Sequence, residues 1–125
     1  MKAFIAGALL LAFHLAEGQT GPGGVGNAAN NVVWLTADSG VYSDVAGTTL
    51  AVDGDDAALW SDRSGNGNDA SHGTAGERPN YETNILNGLP VIRYTAANGD
   101  RLLSAGIATG NAASVFAVAL WSSLP

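Results

Sequence analysis

The chain of 125 residues contains no cysteine, and it sets five Lys and Arg against eleven Asp and Glu. The missing thiol removes disulfides, thiolate metal ligation, a cysteine nucleophile and a lipidated amino-terminal cysteine together. The shortage of cations, at a formal net charge of −6, argues against nucleic acid or any other polyanion as a partner. Charge of either sign is sparse, at 13% of residues, and there are neither charge blocks nor internal repeats to divide the chain. One compact domain fits this length; two do not.

The one long apolar run lies at the start. Lys2 is followed by apolar residues from Ala3 to about Leu15, the layout of a secretory signal peptide. Small residues at Ala16 and Gly18 suit the −3 and −1 positions of the cleavage site, which places the cut before Gln19. Residues 1–18 are therefore expected to be a leader, and the product to be secreted or held at the cell surface. A membrane anchor is the rival reading, but the run is shorter than the ~20 apolar residues that cross a hydrocarbon core. His14 leaves with the leader, so His72 is the one histidine that stays. Residues 19–31, Gln-Thr-Gly-Pro-Gly-Gly-Val-Gly-Asn-Ala-Ala-Asn-Asn, have too few bulky side chains to bury anything and read as a flexible Gly-rich linker.

From residue 32 onward, short apolar stretches alternate with Gly, Asn, Asp and Ser clusters. The stretches are Val32-Val33-Trp34-Leu35, Ala57-Ala58-Leu59-Trp60, Pro90-Val91-Ile92-Arg93-Tyr94, Arg101-Leu102-Leu103 and Ser114-Val115-Phe116-Ala117-Val118-Ala119-Leu120-Trp121. They read as strands joined by turns. Period two puts Val91 and Arg93 on one face and Ile92 and Tyr94 on the other. Asn87-Gly88, which tolerates positive φ, marks a turn between Ile85-Leu86 and the following strand, and Asn98-Gly99 marks another before Arg101. The last stretch is apolar on both parities; a buried helix competes, but its length and its β-branched and aromatic content favour a central strand covered on both faces. With no capped helical pattern longer than about two turns, the expected class is all-β, an antiparallel β-sandwich.

Four pieces in order, Val33-Trp34-Leu35-Thr36-Ala37-Asp38-Ser39-Gly40-Val41, Leu59-Trp60-Ser61-Asp62-Arg63-Ser64-Gly65-Asn66-Gly67-Asn68-Asp69-Ala70, Arg78-Pro79 and Leu86-Asn87-Gly88-Leu89-Pro90-Val91-Ile92-Arg93-Tyr94, resemble the amino-terminal part of concanavalin A-like lectin/glucanase domains of the laminin-G-like kind. Such domains are common in secreted bacterial surface proteins. The Ser-Gly-Asn-Gly-Asn-Asp piece is the most specific. The resemblance implies a concanavalin-like jelly roll and a role in carbohydrate association or adhesion. It covers most of residues 32–125 but only about half of such a domain, which usually has about 200 residues. Residues 32–125 are thus expected to form an incomplete sandwich: a fragment of a longer reading frame, a chain completed by a partner, or a smaller closed structure, with the fragment favoured. Uncovered strands of this kind invite self-association.

Glycoside hydrolysis needs two carboxylates flanking the bond. The only glutamates after the leader are Glu77 and Glu82, in a polar stretch, and the alternating glutamates and aspartate of the family's catalytic strand have no counterpart. Both read as solvated loop charges. His72, in Ser71-His72-Gly73, lacks a nucleophile-elbow context and reads as a surface or turn histidine. Asp53-Gly54-Asp55-Asp56 looks like the start of an EF-hand loop, but Ala58 stands at the sixth position and Ser64 at the twelfth, so that motif fails. The lesser reading left open is an irregular calcium site using Asp53, Asp55 or Asp56; no other cofactor is expected, and no metal ligand is assigned. The loop from Asp62 to Asp69 reads as a self-capped corner, its glycines giving positive φ and its Asp, Ser and Asn side chains bonding nearby amides. Trp34, Trp60 and Trp121 lie in apolar stretches and read as core. Tyr81, between Asn80 and Glu82, is the best candidate for a sugar platform, ahead of Tyr94. The expectation is a non-catalytic exported module that binds carbohydrate or another surface protein, with no catalytic residue; the alternative is the amino-terminal part of a glycoside hydrolase whose catalytic residues lie beyond this chain.

Overall fold

The computed structural model describes residues 21–24, 27, 30–107 and 114–121. The expected leader lies outside them, as does much of the expected linker, where one 3-10 turn, Pro22–Gly24, is described. Among the described residues every strand pairing is antiparallel and there is no α-helix. The β-rich class expected from the sequence therefore holds. No helix among these residues is long and apolar enough to cross a membrane.

Among the described residues six strands form two sheets: β1 (Val41–Tyr42), β2 (Leu59–Trp60), β3 (Ala70–Ser71), β4 (Asn80–Leu86), β5 (Leu89–Arg93) and β6 (Leu103–Ser104). The first sheet runs β1-β2-β3-β6 and the second is the β4-β5 hairpin. Single bonds outside the ladders tie the two together through residues 49–58. Ala51 donates to the Val41 carbonyl at 3.0 Å, while Gly54 donates to the Tyr81 carbonyl and Tyr81 to the Asp55 carbonyl, each at 2.8 Å. This segment thus contacts β1 on one side and β4 on the other.

The hairpin follows its turn residues. Asn87 and Gly88 have φ of 53° and 81°, the two positive values a type I′ turn requires. The ladder then breaks between Glu82 and Leu86, where Asn84 also has positive φ, 58°. Pro90 lies opposite this bulge and has no N–H to offer the ladder, so the irregularity falls where a regular rung is impossible. Beyond the bulge, the guanidinium of Arg93 and the carboxylate of Glu82 meet diagonally across the strands at 2.6 Å, a contact that depends on the Asn80 to Arg93 register.

The apolar core is built from small side chains: Val41, Ala57, Ala58 and Ala70, with Pro79 fully buried. Alanine covers little apolar area, so burial contributes modestly here. Polar contacts hold the rest.

Three expectations need correction. Residues 114–121 form no strand and make no backbone pairing among the described residues, and Phe116 and Val118 are more than nine-tenths exposed. Trp121, expected in the core, is 78% exposed. An apolar segment becomes a central strand only where neighbours complete its ladder and cover both faces, and none of the described residues does so. Val32 to Leu35 are also outside the sheets, because the 62–69 corner takes up the Val32 carbonyl and both backbone groups of Trp34 in place of a neighbouring strand. The turn expected at Asn98-Gly99 is present: it closes the 3-10 turn Ala96–Asn98, with Gly99 as its left-handed cap.

Replacing Gly88 by Val should lower stability by about 1–2 kcal/mol, the cost of left-handed backbone for a side-chain-bearing residue. No atom lies within 4 Å of the position a Cβ would take, so the loss comes from φ alone. Thermal denaturation of the variant measures it.

Candidate functional site

Between β2 and β3 the chain turns around the carboxylate of Asp62, which is buried. Oδ1 accepts the N–H of Ser64 at 2.9 Å and that of Trp34 at 2.8 Å. Oδ2 accepts the Ser64 hydroxyl at 2.7 Å and the Asn68 N–H at 3.1 Å. A carboxylate offers about four lone-pair sites, so this one is filled. Burial pushes the Asp62 carboxyl up, but the bonds from Ser64, Trp34 and Asn68 together outweigh it and hold the group below the usual carboxylate range. Asp69 Oδ1 in turn accepts the Asp62 N–H at 2.7 Å.

The amides of the corner reach further. Asn66 Nδ2 donates to the Asn31 carbonyl and Asn68 Nδ2 to the Val32 carbonyl, both at 2.7 Å. Gly65 and Gly67, at φ of 87° and 72°, give the left-handed backbone that lets the loop close on one carboxylate. The self-capped corner read from the sequence is present, and it also fastens the 31–34 segment.

A cleft of about 230 Å³ opens nearby, lined by Ala37, Asp38, Ser39, Gly40, Val41, Leu50, Ala51 and Tyr81. Its first wall is the 36–39 turn, in which Ser39 donates to the Thr36 carbonyl at 3.3 Å. Trp60 Nε1 donates to the same carbonyl at 2.8 Å, so the turn is pinned to β2. The bridge between Tyr42 and Leu50 sets the second wall beside β1, and β4 supplies Tyr81. Asp38 and Ser39 are exposed and Tyr81 is half-buried. Arg63 lies over the Trp34 ring at 4.6 Å and approaches the Asp38 carboxylate at 3.9 Å. The residues lining the cleft thus include a tyrosine, an aspartate and a serine beside aliphatic side chains, a few polar groups converging on apolar surface.

The other candidates separate. Glu82 pairs with Arg93 and Glu77 with Arg101, so each glutamate is committed to a different arginine. His72 is buried, contrary to the surface position expected of it: Nδ1 is 3.3 Å from the Thr74 carbonyl and Nε2 is 3.5 Å from Glu77 Oε2. This His72-Glu77-Arg101 cluster spans the segment after β3 and the approach to β6. Asp53 accepts both the N–H and the hydroxyl of Thr83, and these bonds lower its carboxyl. Asp55 accepts the Val52 N–H at 2.9 Å, and Asp56 forms a bridge with Asn80. Among the described residues no three or more His, Asp or Glu are grouped so as to hold a metal ion. Trp34 and Trp60 are half-buried. The phenol of Tyr94 is raised by burial and then by the Asp100 charge.

Asp38 and Ser39 are the cleft residues that the sequence reading passed over. The signal was there as an Asp-Ser-Gly turn directly before β1, but nothing in the sequence alone places that turn beside Tyr81. Comparison with protein-family models, curated proteins and solved structures finds no match for this chain.

Asp62→Ala leaves buried N–H donors without an acceptor and should cost about 3 kcal/mol, measured by denaturant unfolding. Acid should act through the same group. A carboxyl lowered in the folded state stabilises fully above its unfolded pKa and loses that contribution as pH falls through its folded value. The Asp44 carboxyl behaves likewise: the Thr48 N–H foremost, with the Thr48 hydroxyl and the Thr49 N–H, lowers it from 3.8 to about 2. The melting temperature should therefore fall as pH drops below about 4, and the Asp62→Ala variant should show a shallower fall than the parent chain.

Proposed function

We propose that this chain is an exported, non-catalytic β-sandwich module of the concanavalin A-like, laminin-G-like type, which associates with carbohydrate through the Tyr81 cleft as part of a secreted or surface-held protein. The observation that carries the reading is the meeting of Tyr81 with Asp38 and Ser39 in one cleft. Sugar recognition combines stacking of a C–H face on an aromatic ring with hydroxyl contacts to carboxylate and hydroxyl groups, and all three are there. The volume, about 230 Å³, is below the ~300–1,000 Å³ of drug-sized sites, which favours one sugar ring over an extended chain.

Two further features support the reading. The acidic composition, with five cations in all, disfavours a phosphate-bearing ligand and leaves neutral polyols as the better match. The antiparallel sheets joined through residues 49–58 are compatible with part of a two-layer sandwich.

A glycan array together with insoluble polysaccharides tests it. Retention should fall about tenfold in Tyr81→Ala, the loss of ~1.4 kcal/mol that an aromatic contact supplies, while Tyr81→Phe keeps the stacking face and most of the binding. Absence of any retained glycan, or a Tyr81→Ala protein that binds like the parent, contradicts the proposal.

A further inference from the structure

Residues 114–121 lie outside any strand or helix and are apolar on both parities, with Val115, Phe116, Val118, Leu120 and Trp121 between 78% and 94% exposed. Their backbone groups find no partner among the described residues. The first sheet has the complementary feature. Its β1 side is covered, since Tyr42 bridges to Leu50 and Ala51 donates to Val41. Among the described residues its β6 side is open: β6 pairs there with β3 alone, and Leu103 on it is 59% exposed. The hairpin also has an open side at β5, but Pro90 there withholds an N–H and guards it against strand addition. β6 has no such guard.

We propose that residues 114–121 of one copy add as a strand to the free β6 edge of a second copy, and that the exchange is reciprocal. Donor and acceptor lie on the same chain, so two copies satisfy each other and the contact closes on a two-fold axis. The nine residues 105–113 between β6 and the donor can span up to ~30 Å, enough to reach a neighbour.

The area is sufficient. Each buried aromatic removes ~150–250 Å² from water, so Phe116 and Trp121 of both copies contribute roughly 600–1,000 Å², to which the surface they cover adds. With the aliphatic residues added, the total enters the ~1,200–2,000 Å² range of stable interfaces. This contact uses no residue of the Tyr81 cleft and is independent of carbohydrate binding.

Sedimentation equilibrium of the purified chain, from micromolar to hundreds of micromolar, tests the proposal. A dimer is expected, and the double variant Phe116→Asp, Val118→Asp should weaken it at least tenfold with unchanged far-ultraviolet circular dichroism, because neither residue packs against the fold. The absence of native cysteine permits a second test: mixed Leu103→Cys and Val118→Cys copies should be joined by a short bifunctional maleimide into a covalent heterodimer. A monomer throughout the range, a dimer indifferent to the double variant, an open ladder larger than two, or failure of the mixed copies to crosslink overturns it.

Discussion

Asp62 stands where the 62–69 corner meets the 31–34 segment, and its carboxylate accepts from Trp34, Ser64 and Asn68 at once. Each of those donors belongs to backbone or side chain that would otherwise face an interior with little to offer it. An unmade bond to a buried N–H costs more than a made one gains, so the loop has one low-energy way to close. Strand β3 follows from that closure, because Asp69, which receives the Asp62 N–H, stands directly before it. The 36–39 turn and the cleft depend on the same corner, since Trp34 and Arg63, held at either end of it, frame the approach to Thr36 and Asp38.

A polar pin of this kind has a larger share of the work where apolar burial is slight. Among the described residues the buried apolar side chains are three alanines, Val41 and Pro79, and an alanine side chain removes far less area from water than leucine or phenylalanine. The larger apolar side chains, such as Leu50, Val52, Leu89 and Leu103, are exposed. Short strands of two residues, β1, β2, β3 and β6, survive because loop bonds extend their ladders: Ser61 donates to Gly40, Ala58 to Tyr42 and His72 to Ala58. Architecture here rests on backbone and carboxylate bonding more than on a packed hydrophobic layer.

The parts of this arrangement that local chemistry dictates were legible in the sequence. Asn87-Gly88 announced its turn because few residue pairs accept two positive φ values, and the Asp62 to Asp69 corner announced itself through glycines spaced among short polar side chains. Period two located β5 to within a residue. What could not be read were properties set by partners distant in sequence. Val32 to Leu35 have strand-like composition, yet Asn68 claims the Val32 carbonyl, and Asn66 that of Asn31 just before it, from more than thirty residues away. Residues 114–121 have the composition of a central strand, but composition does not supply the neighbours such a strand requires. Tyr81 was singled out for its polar flanks, whereas Asp38 and Ser39 became visible only once the fold brought their turn beside β4.

Amide hydrogen exchange at Trp34, Ser64 and Asn68 tests the organising role of Asp62 most directly. If one carboxylate holds the corner closed on the 31–34 segment, the three N–H groups exchange slowly and with a common opening free energy close to that of global unfolding. Exchange at unprotected rates, or three widely different opening energies, would contradict the account.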